Sequence, residues 1–212
     1  MLITTSASRI AQHGVIGRLF SALVLIVIAL VIGGCTPSGP TFRNVDITGA
    51  DYGKDFALTD HTGRPRTLAD FKGKVVVMFF GYTHCPDVCP TTMAELNLVL
   101  KELGSEAARV QVLFVTLDPE RDTQALLAQY VPAFNPGFLG LYSDVATTAR
   151  VAKDFKVFFQ KVPGSSPDNY TMDHTAGSYV FDEQGRLRLF VRHGGSSEPL
   201  LADLKTLLAA AK

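Results

Sequence analysis

The sequence carries no surplus of charge: 20 lysines and arginines stand against 20 aspartates and glutamates over 212 residues. Nucleic-acid binding relies on a basic excess, so this balance gives no nucleic acid among the expected partners. Internal repeats are absent, as is any second linker, which leaves one compact domain as the expected organisation. Cysteine is scarce as well, with three in the chain. Cys35 belongs to the N-terminal segment, so the domain itself holds Cys85 and Cys89 alone, four positions apart. Whatever these two do, they do together.

What is present begins with an export signal. Residues 1–34 contain Arg9 and Arg18, no acid, and an apolar stretch from Leu19 to Ile32 that ends in Gly33-Gly34-Cys35. That stretch is shorter than the roughly 20 residues a bilayer-crossing helix needs, which favours cleavage. The run Ile32-Gly33-Gly34-Cys35 resembles a bacterial lipobox, in which the cysteine is acylated and becomes the mature N-terminus. The expected layout is a lipoprotein-type signal peptide over 1–34, a lipidated Cys35 with a flexible tether over 35–53, and a domain over 54–212. Lipoprotein or uncleaved N-terminal helix, either form places the domain on the periplasmic side of the cell envelope, anchored to a membrane.

Within the domain, Phe56 to Asp60 alternates apolar and polar and runs into Thr62-Gly63, which predicts a short N-terminal hairpin. Val75-Val76-Val77-Met78-Phe79-Phe80 is continuously apolar and bracketed by glycines, the pattern of a strand buried on both faces. Met93, Leu96, Val99, Leu100 and Leu103 recur at helical spacing, and Gly104 stops them. A strand follows over 110–117. Asp118-Pro119-Glu120 then reads as the cap of a helix that buries Leu126, Leu127 and Tyr130. Shorter elements are expected at 138–142 (strand), 145–155 (helix) and 157–159 (strand). Two strands about Asp182-Glu183-Gln184-Gly185 form a hairpin, and a last helix runs from Pro199 to Ala210. Strand-helix-strand followed by a hairpin and a helix is an α/β, thioredoxin-like arrangement with a central mixed sheet flanked by helices.

The chemistry gathers in Gly81-Tyr82-Thr83-His84-Cys85-Pro86-Asp87-Val88-Cys89-Pro90, between the buried strand and the amphipathic helix. At this carboxyl end of a parallel strand the following helix presents unpaired N–H groups. If residues 85–89 make a helical first turn, the two sulfurs share one face, about 6 Å apart along the axis. They can close a disulfide or hold one metal ion from the same side. Pro86 and Pro90 stiffen the loop. The helix N-terminus favours thiolate, so both thiols are expected to titrate below the free value of about 8.5. Two thiolates suit copper(I) or zinc. Zinc usually takes four protein ligands where copper(I) accepts three, so copper is preferred.

A third ligand must come from the histidines. His13 lies in the export segment, His61 and His193 sit beside turn residues, and His84 adjoins Cys85 with its side chain expected to point away. His174 leads into the strand at Ser178, a loop that faces the active cysteines in a thioredoxin-like domain. Asp173 beside it either orients a ligand or caps its own backbone, and Asp118 either joins the site or serves as an N-cap. Met93 reads as core; Met172 is either core or a thioether donor.

Cys85-Pro86-Asp87-Val88-Cys89-Pro90 with the distant Asp173-His174 resembles the SCO (SenC) family of copper proteins that assist cytochrome c oxidase assembly. Gly81-Tyr82-Thr83, Asp118-Pro119-Glu120-Arg121-Asp122-Thr123 and Gly177-Ser178 extend the likeness over roughly residues 46–208. The resemblance implies copper, as Cu(I) and also Cu(II), bound by Cys85, Cys89 and His174. It further implies a metallochaperone whose partners are the copper-receiving subunit of a cytochrome c oxidase, other periplasmic copper chaperones and thiol reductants. The alternative is a periplasmic thiol-disulfide reductase using Cys85 and Cys89 as a redox pair, which has no need of His174. A peroxidase is disfavoured, since Thr83-x-Cys85 is one residue shorter than that family's Thr-x-x-Cys and leaves Cys89 unexplained.

Overall fold

The computed structural model describes residues 39–166 and 169–210. The segment read as an export signal and Cys35 lie outside the described residues.

Hydrophobic alternation builds the centre. In β4 (Val75–Gly81) every residue is buried, and the same holds for β5 (Val110–Thr116). Their side chains alternate between two cores. Val75, Val77 and Phe79 join one cluster with Val110, Val112 and Phe114, while Val76, Met78 and Phe80 join the other with Leu113 and Val115. The first cluster is covered by α1 (Val88–Leu103), α2 (Gln124–Phe134) and α4 (Glu198–Ala210), through Met93, Leu96, Leu127, Val131 and Leu204. The second is covered by a 3-10 turn at Leu68–Phe71 and by α3 (Val145–Asp154), through Phe71, Val151 and Ala152. Strands buried on both faces are what the unbroken apolar runs require.

Eight strands make the main sheet in the order β1-β10-β9-β4-β5-β6-β2-β3. Here β1 is Val45–Asp46, β2 Ala57–Asp60, β3 Pro65–Thr67, β6 Leu139–Tyr142, β9 Gly177–Phe181 and β10 Leu187–Arg192. The pairs β4–β5 and β5–β6 are parallel, and β9 runs antiparallel to both β4 and β10. This is the mixed, helix-flanked sheet expected of a thioredoxin-like domain, with the N-terminal β2–β3 hairpin at its edge.

Three boundaries differ from expectation. The stretch expected as a tether is packed from its middle onward: β1 pairs with β10, and Ile47, Ala50 and Tyr52 lie against the second core. A two-residue edge strand has no periodicity to betray it. The helix after β5 begins at Gln124, not at Asp118, and Thr123 caps it by accepting from the Leu126 amide. Finally, β7 (Phe159–Ser166) and β8 (Asn169–His174) form a separate two-stranded hairpin where a short strand and a loop were expected. Its residues are mostly polar and exposed, so alternation is faint.

Candidate metal centre

Gly81 ends β4, and the chain turns through Tyr82 and Thr83 to the cysteines. The Cys85 amide donates to the Tyr82 carbonyl at 3.3 Å, closing the turn. The helix starts at Val88, so Cys85 lies ahead of its first turn and Cys89 within it. The Cys89 amide, one of the four that a helix N-terminus leaves without a partner, donates to Cys85 Sγ at 3.4 Å. The four-residue spacing thus lays one sulfur over the helix start that carries the other. Both thiols are free; Cys89 is fully buried and Cys85 partly open to solvent.

His174 closes the site from β8, with its Nε2 at 3.9 Å from Cys89 Sγ. Its Nδ1 lies 3.0 Å from the Thr175 carbonyl oxygen. A carbonyl only accepts, so Nδ1 carries the proton and Nε2 presents its lone pair toward the sulfur. The ring packs edge-on against Tyr82 and Phe79, with centroids at 6.1 and 6.4 Å. Burial lowers the His174 pKa, against opposing effects of the Thr175 contact and the Asp173 charge. The imidazole is therefore held neutral, the form that ligates a metal.

Burial acts on Cys89 against the lowering effect of a hydrogen bond with the Tyr82 backbone, and prevails. Its thiol is pushed up, not down as expected from its place at the helix start, and the neighbouring Cys85 adds to the rise. A positive charge beside Cys89 offsets that rise and favours the thiolate. A metal ion supplies that charge.

Among the described residues, no three histidine, cysteine, aspartate or glutamate side chains lie close enough together to hold a metal ion as they stand. The pair that comes nearest is well spaced. Donors bound to one ion at about 2.3 Å for sulfur and 2.0 Å for nitrogen lie roughly 3.7 Å apart at trigonal angles, close to the 3.9 Å observed. Cys85 Sγ, which accepts from the Cys89 amide, lies beside that pair. Two thiols and a neutral imidazole are a soft donor set, which fits copper(I).

The other sequence candidates take different places. Asp173 is exposed on β8, next to His174. Asp118 is buried and caps no helix: its carboxylate accepts from Arg121 Nε at 2.5 Å and from the Tyr170 hydroxyl at 2.7 Å. Met93 and Met172 are both buried in the core cluster that contains Cys89. His84 is half exposed and its Nδ1 lies 3.1 Å from Thr83 Oγ1, toward Asp122. His61 and His193, beside turn residues, are engaged away from the cysteines: His61 Nδ1 accepts from the Gly140 amide and His193 Nδ1 lies 2.9 Å from Thr92 Oγ1.

Asp122 is the functional neighbour that residue-by-residue reading passed over. It is buried and accepts from the Thr83 amide at 3.0 Å, Thr83 Oγ1 at 2.5 Å and Thr116 Oγ1 at 2.6 Å, so it bolts the cysteine loop to the end of β5. Burial raises its pKa despite these donors. Its position in the acidic-proline segment was the available signal.

The SCO1/SenC family description matches residues 45–209. The chain is 37% identical over 158 residues to the mitochondrial SCO2 homolog of Bos taurus, covering 74% of this chain and 59% of that protein. It spans about three-fifths of the length of the bovine, mouse and human SCO2 homologs. Among solved structures, Bradyrhizobium japonicum ScoI with copper bound superposes with a TM-score of 0.66 at 43% identity, covering 74% of this chain and 99% of that one. A SCO1/SenC family lipoprotein from Bacillus anthracis gives a TM-score of 0.66 at 25% identity, over 79% and 99% of the two chains. With the cysteine pair, the histidine and the sheet that carries them all in place, the chain belongs to the SCO1/SenC family.

Proposed function

We propose that this chain is a copper carrier of the cell envelope that delivers copper to, or matures, the dinuclear copper site of a cytochrome c oxidase. The observation that carries the reading is the meeting of Cys89 Sγ with the unprotonated Nε2 of His174, its ring fixed from behind by the Thr175 carbonyl. A redox enzyme that uses only the thiol pair needs no such imidazole. Copper is cargo in this reading: Cys85, Cys89 and His174 hold Cu(I), and also Cu(II), until a receiving subunit takes it. Copper bound in the related ScoI structure supports copper as the cargo. Anchoring through a lipid on Cys35 is supported by the lipobox-like sequence and by the lipoprotein relative.

The test is anaerobic Cu(I) competition against a chelator, with the soluble chain from Thr36 onward. Wild type is expected to bind one copper, and His174→Ala to lose affinity by about two orders of magnitude or more, since even changes outside the ligand set cost ten- to hundredfold. Equal affinity in the two proteins defeats the carrier reading.

One observation favours a second activity, a thiol-disulfide reductase. Cys85 is partly open while Cys89 is buried beneath it, the disposition of an attacking and a resolving thiol. Reduction of a client disulfide by wild type and His174→Ala alike, with equal copper affinity in the two, assigns the chain to this reading.

A further inference from the structure

Among the described residues, the β7–β8 hairpin pairs with no strand of the main sheet. Ladder hydrogen bonds therefore do not fix its place over the cysteines, although its last residue is His174. Strand alternation puts Tyr170, Met172 and His174 on the inward face, and Asn169, Thr171 and Asp173 are exposed. Met172 fills the core. Tyr170, roughly 13 Å along the strand from His174, meets the segment between β5 and α2.

That meeting is dense. The Tyr170 hydroxyl donates to Asp118 Oδ1 at 2.7 Å, and the Arg121 guanidinium lies 3.5 Å from the ring centroid. Arg121 Nη1 donates to the Tyr170 carbonyl at 2.9 Å while its Nε holds Asp118 Oδ2. The Asp118–Arg121 pair is almost wholly withdrawn from solvent, so it is a rigid seat. The other strand adds Lys161, which pairs with Glu120 and sits 4.7 Å from the same ring. A stacked cation gains strength as water is excluded.

We propose that Tyr170 is a positioning residue for the metal-binding imidazole: locked between Asp118 and Arg121, it latches β8 to the β5–α2 segment and sets the height of His174 above Cys89. The assignment rests on the reading of Cys85, Cys89 and His174 as a copper site. Tyr170 touches neither sulfur nor imidazole in any contact of the described residues; it acts through the strand. Removing the latch frees the hairpin to swing about its remaining anchors, so the imidazole spends less time at bonding distance from the ion.

The experiment is Cu(I) competition with wild type, Tyr170→Phe, Tyr170→Ala, His174→Ala and the double variant, alongside hydrogen exchange at residues 171–174. Tyr170→Ala is expected to weaken copper about ten- to hundredfold. Tyr170→Phe keeps the stacked ring and loses one hydrogen bond, so its loss is expected to stay within about tenfold. In the His174→Ala background, Tyr170→Ala is expected to cost nothing further, because the latch has no imidazole left to place. Equal losses in both backgrounds, or wild-type affinity in Tyr170→Ala, overturn the proposal. Should wild type and His174→Ala hold copper equally, the copper reading falls on its own, and exchange alone judges the latch. Faster exchange at 171–174 in Tyr170→Ala then upholds it, and unchanged exchange overturns it.

Discussion

At the scale of single residues, the site depends on a missing side chain as much as on those present. A Cβ on Gly81 would lie 2.8 Å from Cys89 Sγ, 2.8 Å from Phe79 Cε1 and 3.0 Å from Phe114 Cε2. None of these neighbours can retreat easily, since all three residues are fully buried. Gly81→Ala is therefore expected to destabilise the domain by about 1–3 kcal/mol, the usual cost of overfilling a packed core. It is also expected to shift the buried sulfur and weaken copper. Chemical denaturation and chelator competition check the two effects; a variant that matches wild type in both shows that the space is not needed. The two prolines and two cysteines of the loop were legible in sequence because each restricts either conformation or chemistry by itself. The direction of the Cys89 shift was not. Helix dipole and burial oppose each other there, and burial is a property of the packed tertiary structure.

At the scale of elements, the strongly apolar β4, β5 and α1 were legible from periodicity, whereas β1 and the β7–β8 hairpin were not. The hairpin's alternation is carried by Tyr170, Met172 and His174 amid polar neighbours, and its partner is a loop rather than a sheet. The N-terminal β2–β3 hairpin shows how a short element holds without a large apolar face. Its turn is organised around Asp60, which is buried and accepts from the Thr62 amide at 2.8 Å, Thr62 Oγ1 at 2.6 Å, the Arg64 amide at 3.1 Å and Arg66 Nε at 2.7 Å. Burial pushes its pKa up, and these donors more than reverse that, holding it at about 2 against an ordinary 3.8. The folded state thus binds this proton less readily than the unfolded chain. The stabilisation is present above pH 4 and is lost as pH falls toward 2. Asp60→Asn is expected to be less stable than wild type at neutral pH, with the gap closing between about pH 4 and 2. Denaturant midpoints across that range check it; a gap constant with pH excludes Asp60 as the titrating group.

At the scale of the whole molecule, the question is where the folded unit begins. The absence of hydrophobic periodicity before residue 54 suggested a tether, yet the buried carboxylate of Asp203 on α4 depends on that stretch. It accepts from the Arg43 amide at 2.7 Å, the Asn44 amide at 2.9 Å and Asn44 Nδ2 at 2.8 Å, and its own exposure is 1%. The donors are mostly backbone, so side-chain patterning does not announce them. Asp203 is linked to them across some 160 residues, which makes the contact a clasp between the two ends of the domain. A chain beginning at Pro40 keeps the clasp, and one beginning at Val45 keeps β1 but strands the carboxylate. Stripping a carboxylate of its hydrogen-bond donors costs about 1–3 kcal/mol, which for a domain of this size lowers the melting temperature by roughly 5 °C. The chain from Pro40 is expected to melt with the chain from Thr36, and the chain from Val45 well below both. Asp203→Ala is expected to restore much of the loss in the Val45 chain, because it removes the stranded charge, while destabilising the longer ones. If all three truncations melt together, residues 40–44 are a tether after all, and the clasp contributes nothing to the fold that carries the metal centre.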